Sequence, residues 1–209
     1  MKQTLITVSF LLSFVFSFGQ SFEGEIVYSA TYKSKLANLS DQQIASMIGG
    51  TQNYYIKGGD YKAETNGTLM NWQLYINKDN KLYYKMSNSD TITWKDAAVN
   101  TDPVVTSELH AGVINILGYK CDELVVTCKN ETQKYYFTTK LPVDSRLFSN
   151  HLIDNWYYYL SKTNAMPLKI IVDNAQFTME LTATDVRAIK LQPAFFTLPA
   201  GAKTLKSPY

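Results

Sequence analysis

Side chains suited to acid–base or nucleophilic chemistry are few and scattered in this sequence. His110 and His151 are the only histidines, and neither lies beside a cysteine or serine in a recognised nucleophile motif. Glu23 and Glu25 are two residues apart, which places their carboxylates about 6.6 Å from each other on one face of a strand. That separation suits a glycosidase pair, but a solvated strand face explains it more simply. The sequence therefore predicts no catalytic residues and no enzymatic activity.

Cys121 and Cys128 are the only cysteines. On one straight strand they would lie on opposite faces and roughly 23 Å apart, whereas a disulfide needs Cα atoms within about 7 Å. We therefore predict two unpaired thiols; a disulfide is the alternative if a bulge near Gly118 folds the segment back. The sequence contains no Cys-x-x-Cys, His-x-x-x-His or calcium-loop spacing. Accordingly we expect neither a metal nor a cofactor.

Composition and charge exclude further classes of function. The chain has 209 residues, of which 45% are hydrophobic and 18% are charged, and this is enough for one domain with a core. The net charge of +2 and the lack of Lys/Arg clusters give no support for nucleic-acid binding. The fifteen tyrosines favour β-strands, because Tyr combines an apolar ring with a polar tip.

The N-terminal segment 1–19 has the pattern of a secretory signal peptide. A basic start, Met1-Lys2, precedes the apolar run Leu5–Phe18, and small residues follow at the expected cleavage point. The run is too short for a stable transmembrane anchor, and no later segment approaches that length. We therefore predict export through a cleaved signal peptide, with a single mature domain, 20–209, in the periplasm or outside the cell.

Alternation of apolar and polar residues predicts an antiparallel sheet of about ten or eleven strands. The mature chain opens with a strand at 22–33, followed by a meander over 52–95. A hairpin at 113–139 and a closing hairpin at 168–184 complete the sheet. The segment 96–112 breaks the alternation and contains a proline, so we expect an irregular connection there.

Two short helices are predicted to cover one face of this sheet. The first spans Ser40–Ile48, where Ser40 and Gln43 form a capping box. The second spans Leu147–Leu160, which carries apolar residues at helical spacing. The polar tail after Gly201 is expected to fray. The predicted fold is thus mainly β, a curved incomplete barrel with two short covering helices.

One face of the predicted sheet carries more large apolar residues than two short helices can cover. A curved sheet with partial cover tends to enclose a cavity, and the mouths of barrels are common ligand sites. The residues predicted to line this cavity share one strand face or lie on the apolar stripe of the second helix: Tyr28, Trp72, Leu74, Tyr84, Trp94, Leu124, Val126, Phe137, Trp156, Ile170, Phe177 and Met179. Alternatively, this face is ordinary core, and a protein partner binds a sheet edge or the 96–112 segment.

The order of elements resembles the LolA/LolB-like superfamily of envelope lipoprotein and lipid carriers, and in particular a secreted branch with a domain of unknown function. The resemblance is carried by Phe22-x-Gly24-x-Ile26-x-Tyr28, by the mid-chain Gly118–Cys121, and by the ending Phe195-Phe-Thr-Leu-Pro199-x-Gly201. It implies a half-barrel whose helices form a lid over an apolar cavity for acyl chains. The LolA type uses a cavity arginine to control the lid, whereas Arg146 and Arg187, the only arginines here, lie outside the meander.

Together these patterns predict a non-enzymatic envelope protein. Its expected ligand is hydrophobic: a lipid, an acyl chain or the acylated end of a lipoprotein. We predict that the protein does not bind nucleic acid and has no transmembrane anchor. The alternative function is a secreted protein–protein interaction module.

Overall fold

A computed structural model describes residues 21–208, so the predicted leader, 1–19, lies outside the described residues. The described chain forms one twelve-stranded sheet. Its strands are β1 (Gly24–Ser34), β2 (Thr51–Lys57), β3 (Asp60–Thr65), β4 (Met70–Ile76), β5 (Lys81–Met86), β6 (Ile92–Asp96), β7 (Val104–Ile116), β8 (Tyr119–Cys128), β9 (Thr132–Pro142), β10 (Ala165–Asp173), β11 (Phe177–Ala188) and β12 (Thr204–Lys206). The helices are α1 (Asp41–Ile48) and α2 (Trp156–Thr163), with 3₁₀ turns at Asn77–Asp79, Ser145–Phe148, Ile153–Asn155 and Pro193–Phe196.

The strands follow the order β12-β6-β5-β4-β3-β2-β1-β11-β10-β9-β8-β7. Neighbouring strands are antiparallel, except that β12 runs parallel to β6. Because the sheet ends at β12 and β7, it is curved but unclosed. The prediction of a mainly β, incomplete barrel with two helices is confirmed. The sheet is mixed rather than wholly antiparallel, and it has twelve strands rather than ten or eleven.

The additional strands lie in segments that the sequence predicted to be irregular. β7 occupies much of 96–112 and pairs with β8, with a register shift between His110 and Ile114 that breaks its alternation. β12 lies in the tail that was expected to fray. It is held to β6 by backbone hydrogen bonds, among them one of 2.8 Å from the Ser207 amide to the Trp94 carbonyl. Both expectations were wrong because pairing with a distant strand outweighs a weak local pattern.

Local sequence determines the first helix but not the second. Ser40 accepts a hydrogen bond from the Gln43 amide, and the Gln43 side chain accepts one from the Ser40 amide, so the predicted capping box is confirmed. The second predicted helix, 147–160, is broken into two 3₁₀ turns and α2. Asp154 and Asn155 have φ values of 52° and 58°, and this left-handed backbone cannot continue a right-handed helix.

Apolar side chains pack on both faces of the sheet. The inner face, which α1 and α2 cover, buries the larger core around Tyr28, Ile56 and Leu168. On the opposite face a smaller group packs near the 3₁₀ turn Pro193–Phe196. We call this group the outer cluster; its buried members are Leu74, Tyr83, Ile92 and Phe196, with Trp72 and Trp94 packed against them.

Cys121 and Cys128 are free and buried, which agrees with the prediction of unpaired thiols. In the described part of the chain, neither helix has the length and apolar character needed to cross a membrane. Residues 21–208 also bring together no group of three or more His, Cys, Asp or Glu side chains that could hold a metal ion.

Candidate functional site

A cavity of about 280 Å³ lies on the inner face of the sheet. Its wall comes from β4, β3, β2, β1, β11, β10 and β9, seven consecutive neighbours in the sheet, together with the end of α1 and the segment 151–156. This volume is close to the lower end of the range for ligand pockets, roughly 300–1,000 Å³. Curvature of the sheet therefore leaves a space that the two short helices do not fill.

The cavity has a buried wall and a more accessible rim. The wall includes the buried rings of Tyr28, Tyr54, Tyr61 and Tyr135. The rim comprises half-buried side chains: Gln52, Thr65, Met70, Val172 and Met179. A ligand entering at the rim would thus pass from a mixed surface into an aromatic interior.

Neighbouring backbone carbonyls satisfy some of the tyrosine hydroxyls in this wall. The Tyr28 hydroxyl donates to the Pro167 carbonyl at 2.7 Å, and the Tyr32 hydroxyl donates to the Gly49 carbonyl at 2.8 Å. Burial raises the pKa of Tyr32 to about 12. The Tyr28 hydroxyl thus links β1 to β10, and the Tyr32 hydroxyl links β1 to the end of α1.

His151 and Tyr61 form a buried polar pair in the same wall. His151 Nε2 lies 2.8 Å from the Tyr61 hydroxyl, and the imidazole packs against Tyr61 and Tyr75 with ring centroids 5.6 and 4.3 Å away. Burial lowers the pKa of His151 from 6.5 to about 4, because the charged imidazolium would lose its hydration. His151 is therefore neutral at pH 7 and serves as a hydrogen-bonding group rather than a cation.

Asp154 contributes the acidic group of the cavity. Its side chain is reached by solvent, yet the surrounding protein raises the carboxyl pKa by desolvation, and attraction to Lys95 opposes this shift. Asp154 and Ile153 also line an adjacent cleft that contains Lys95. None of the described residues lining the cavity itself is Lys or Arg. Its wall thus lacks a cation to balance an anionic ligand.

The structure places four of the predicted residues in the cavity wall. Tyr28, Trp156, Ile170 and Met179 line it. Tyr84 lies in the adjacent cleft beside Asp154 instead. Phe177 is half-buried and packs edge-on against Tyr32 at 6.3 Å, outside the cavity lining.

Trp72, Leu74 and Trp94 belong to the outer cluster, so their assignment to the cavity is corrected. A register shift between Met70 and Trp72 inserts one extra residue in β4 relative to β5. Such a bulge reverses the face of every residue beyond it. Met70 consequently lines the cavity, while Trp72 and Leu74 point to the other side.

Leu124, Val126 and Phe137 lie on the inner face but away from the cavity. All three are buried in the larger core, and Phe137 packs edge-on against Tyr159 at 6.2 Å. Leu124 and Val126 lie on β8, beyond the strands that form the cavity wall. Phe137 lies on β9, which does contribute to the wall, but Phe137 packs against Tyr159 in the core rather than lining the cavity.

Sequence reasoning missed Tyr54, Tyr61, His151 and Asp154 as wall residues. Tyr54 and Tyr61 lie in strands that the sequence did predict, and alternation with Ile56 and Ala63 gives them an inward face. No local pattern indicates His151, which lies within the predicted helix Leu147–Leu160. It is buried because the turn Ser145–Phe148 carries the chain across Tyr75.

The other candidate chemical groups are already engaged. Glu23 lies 2.8 Å from the Lys57 ammonium, and Glu25 lies 2.8 Å from the Arg187 guanidinium. His110 contacts Glu123 at 2.8 Å on an exposed part of β7. The two glutamates therefore do not face one another across a cleft, as a glycosidase pair would.

Comparison with known proteins gives weak likenesses in structure alone. No family model matches the chain, and no curated protein matches it. Among solved structures it is similar to PNGF-II in two crystal forms, each with a TM-score of 0.45, at 14% and 13% identity over 88% of this chain. The chain spans about a third of PNGF-II, with 32% and 31% covered.

The chain is also weakly similar to LprF from Mycobacterium bovis. This likeness has a TM-score of 0.35 and 10% identity, and covers 86% of this chain and 90% of LprF. At this level none of the three likenesses carries an inference about ligand or activity. The resemblance to LolA/LolB-like carriers stays a prediction from the sequence.

Proposed function

We propose that this chain is a non-enzymatic envelope protein that binds a lipid, an acyl chain or an acylated protein in its inner-face cavity. The observation that carries the proposal is the cavity of about 280 Å³, with a predominantly apolar wall that includes several buried tyrosine rings, and with an accessible rim. Burial of apolar ligand surface, at about 25 cal/mol per Å², would supply most of the affinity.

The state of the reactive groups supports binding without covalent chemistry. Burial raises the pKa of the Cys128 thiol to about 11 and that of the Cys121 thiol above its usual value, so both are protonated and poorly nucleophilic at pH 7. His151 contacts Tyr61 rather than a nucleophile–base partner. Under this proposal the wall residues position a ligand and do not transform it.

Export is part of the proposal and rests on the 1–19 leader pattern. Fractionation of the producing cells, with mass spectrometry of the mature N-terminus, tests it. We expect a mature protein whose N-terminus lies near Gln20, found in the periplasm or the medium. Uncleaved protein, or mature protein in the cytoplasm, contradicts it.

Native mass spectrometry and lipid extraction of protein purified from cell envelopes test the binding function. We expect a retained amphiphile, and Ala30→Leu should abolish its retention because Ala30 lines the cavity. Ala175→Leu adds the same side chain at an exposed hairpin position and serves as the control. A folded parent protein that retains no amphiphile and binds no apolar probe would refute the proposal.

The β7 edge favours a second candidate, a protein–protein interaction module. β7 is an edge of the sheet, and Val105 and Leu109 on it are 67% and 62% exposed. An exposed edge strand can pair with a strand of another protein. A stoichiometric partner that binds Ala30→Leu protein but not Leu109→Lys protein would favour this candidate over ligand binding.

A further inference from the structure

Three buried polar atoms on residues of the cavity wall have no hydrogen-bond partner. They are the Tyr54 hydroxyl, His151 Nδ1 and Trp156 Nε1. Tyr54 and His151 are only 7% and 1% exposed. In residues 21–208 just one other side-chain atom, Asp102 Oδ2, is buried without a hydrogen-bond partner. The unpartnered groups are therefore concentrated at one cavity.

The three side chains surround Tyr61. Its ring centroid lies 5.1 Å from that of Tyr54, 5.6 Å from that of His151 and 6.2 Å from that of Trp156. Buried polar groups in folded proteins nearly always have a partner, because leaving one unpaired costs free energy. A cluster of unpaired groups beside a cavity indicates that a ligand supplies the partner.

The chemistry of these atoms restricts that partner. The Trp156 indole N–H is only a donor, and the Tyr54 hydroxyl can donate. His151 Nδ1 also donates in the tautomer whose Nε2 accepts the Tyr61 proton. The complementary group on a ligand is an oxygen that accepts hydrogen bonds.

Charge restricts the partner further. The cavity wall includes Asp154 and has no Lys or Arg among its described residues. Lys95 lies in the adjacent cleft, outside this lining. A carboxylate or phosphate would have to lose its hydration in the cavity without a cation in the wall and close to another acidic group. An uncharged carbonyl oxygen satisfies the donors without that cost.

We propose that the cavity selects uncharged acyl esters or amides, whose carbonyl oxygen accepts hydrogen bonds from Tyr54 and Trp156, over free fatty acids of the same chain length. This inference rests on the proposed ligand-binding function and names the ligand class. The apolar chain fills the rest of the cavity, which holds on the order of ten non-hydrogen atoms at about 30 Å³ each.

Matched medium-chain probes test the selectivity on the folded protein. Calorimetry at pH 8 compares methyl decanoate, decanoate and hexylbenzene, which is uncharged and has no oxygen. We expect the ester to bind about tenfold more tightly than the carboxylate, which is fully ionised at this pH.

Tyr54→Phe removes one donor and keeps the ring. It should weaken methyl decanoate binding about threefold to tenfold and leave hexylbenzene binding unchanged. It should also raise the thermal midpoint of the ligand-free protein, because an unpartnered buried hydroxyl is removed.

Tyr159→Phe is the matched control outside the cavity lining. The buried Tyr159 hydroxyl already donates to the Ala165 carbonyl at 2.9 Å, so its removal should lower the thermal midpoint and leave the preference for ester over carboxylate unchanged. If the two Tyr→Phe variants shift the thermal midpoint in opposite directions, the hydroxyl without a partner in the protein is distinguished from the hydroxyl that stabilises the fold.

The outcomes distinguish this inference from the proposed function. The inference is overturned if hexylbenzene binds but decanoate binds as tightly as methyl decanoate, or if Tyr54→Phe leaves the affinity for methyl decanoate unchanged. In either case the proposed function, binding of an apolar ligand in the cavity, still stands. If the folded parent binds none of the probes, both the inference and the proposed function fail.

Discussion

Burial of His151 should make the stability of this protein fall as the solution is acidified. The pKa of His151 is lowered from 6.5 to about 4 because the folded protein excludes water from the imidazole. Between these values the unfolded chain binds a proton that the folded chain does not bind. Stability is therefore fully present above pH 6.5 and decreases as the pH falls towards 4.

The size of this effect follows from the two pKa values. Each pH unit of difference corresponds to about 1.4 kcal/mol. The interval from 6.5 to about 4 thus gives a loss of about 3 kcal/mol in the free energy of unfolding. The histidine is almost completely buried, so little of this effect is screened by solvent.

Two variants isolate the histidine. Tyr61→Phe keeps His151 titratable, whereas Tyr61→Phe/His151→Phe removes both hydrogen-bonding partners and leaves neither polar group orphaned. Urea unfolding from pH 7.5 to 4 measures the free energy of unfolding of each. Carboxyl groups such as Asp154 titrate in both variants, so their contribution largely cancels in the difference.

As the pH falls from 7.5 to 4, Tyr61→Phe should lose about 3 kcal/mol more unfolding free energy than Tyr61→Phe/His151→Phe. Parallel curves for the two variants would refute the reasoning, because they would mean that His151 takes up a proton as easily when folded as when unfolded.

The remaining predictions concern packing, capping and thiol reactivity. Phe137→Ala should cost about 3–5 kcal/mol of unfolding free energy, because Phe137 is buried in the core. Trp72→Ala should cost about half as much, because Trp72 is only half-buried. Urea unfolding measures both losses, and equal losses would contradict this prediction. Ser40→Ala should cost about 0.5–2 kcal/mol, because the cap of α1 is lost, and Ser40→Gly should cost less. Cys121 and Cys128 should react with a thiol reagent only when the protein is unfolded, and mass spectrometry of the native protein should find no disulfide.

Where structure depends on nearby residues, it could be predicted from the sequence. The alternation at 22–33 predicted β1, and the Ser40–Gln43 capping box predicted α1, because both signals act over a few residues. The same alternation indicated that Tyr28, Ile170 and Met179 share one face, and all three line the cavity. The mainly β, curved architecture is the sum of such local signals.

The site itself depends on contacts between distant segments. The bulge in β4 forms where that strand pairs with β5, and it turns Trp72 away from the cavity despite its suitable alternation with Met70. His151 is buried against Tyr61, ninety positions away in the chain. No local pattern encodes that contact, and the sequence predicted only a helix over Leu147–Leu160 at this position.

The sequence alone thus determined the apolar alternation of individual strands and the first helix. It also determined that one face of the sheet carries more large apolar residues than two short helices can cover. Tertiary structure decided which surface remains uncovered. Alternation gives each residue a face only until a bulge shifts the register, and the left-handed Asp154 and Asn155 break the covering helix. The polar groups of the cavity, Tyr54, His151 and Trp156, come together for the same reason: their positions are set by strand pairing and chain crossing rather than by neighbouring residues.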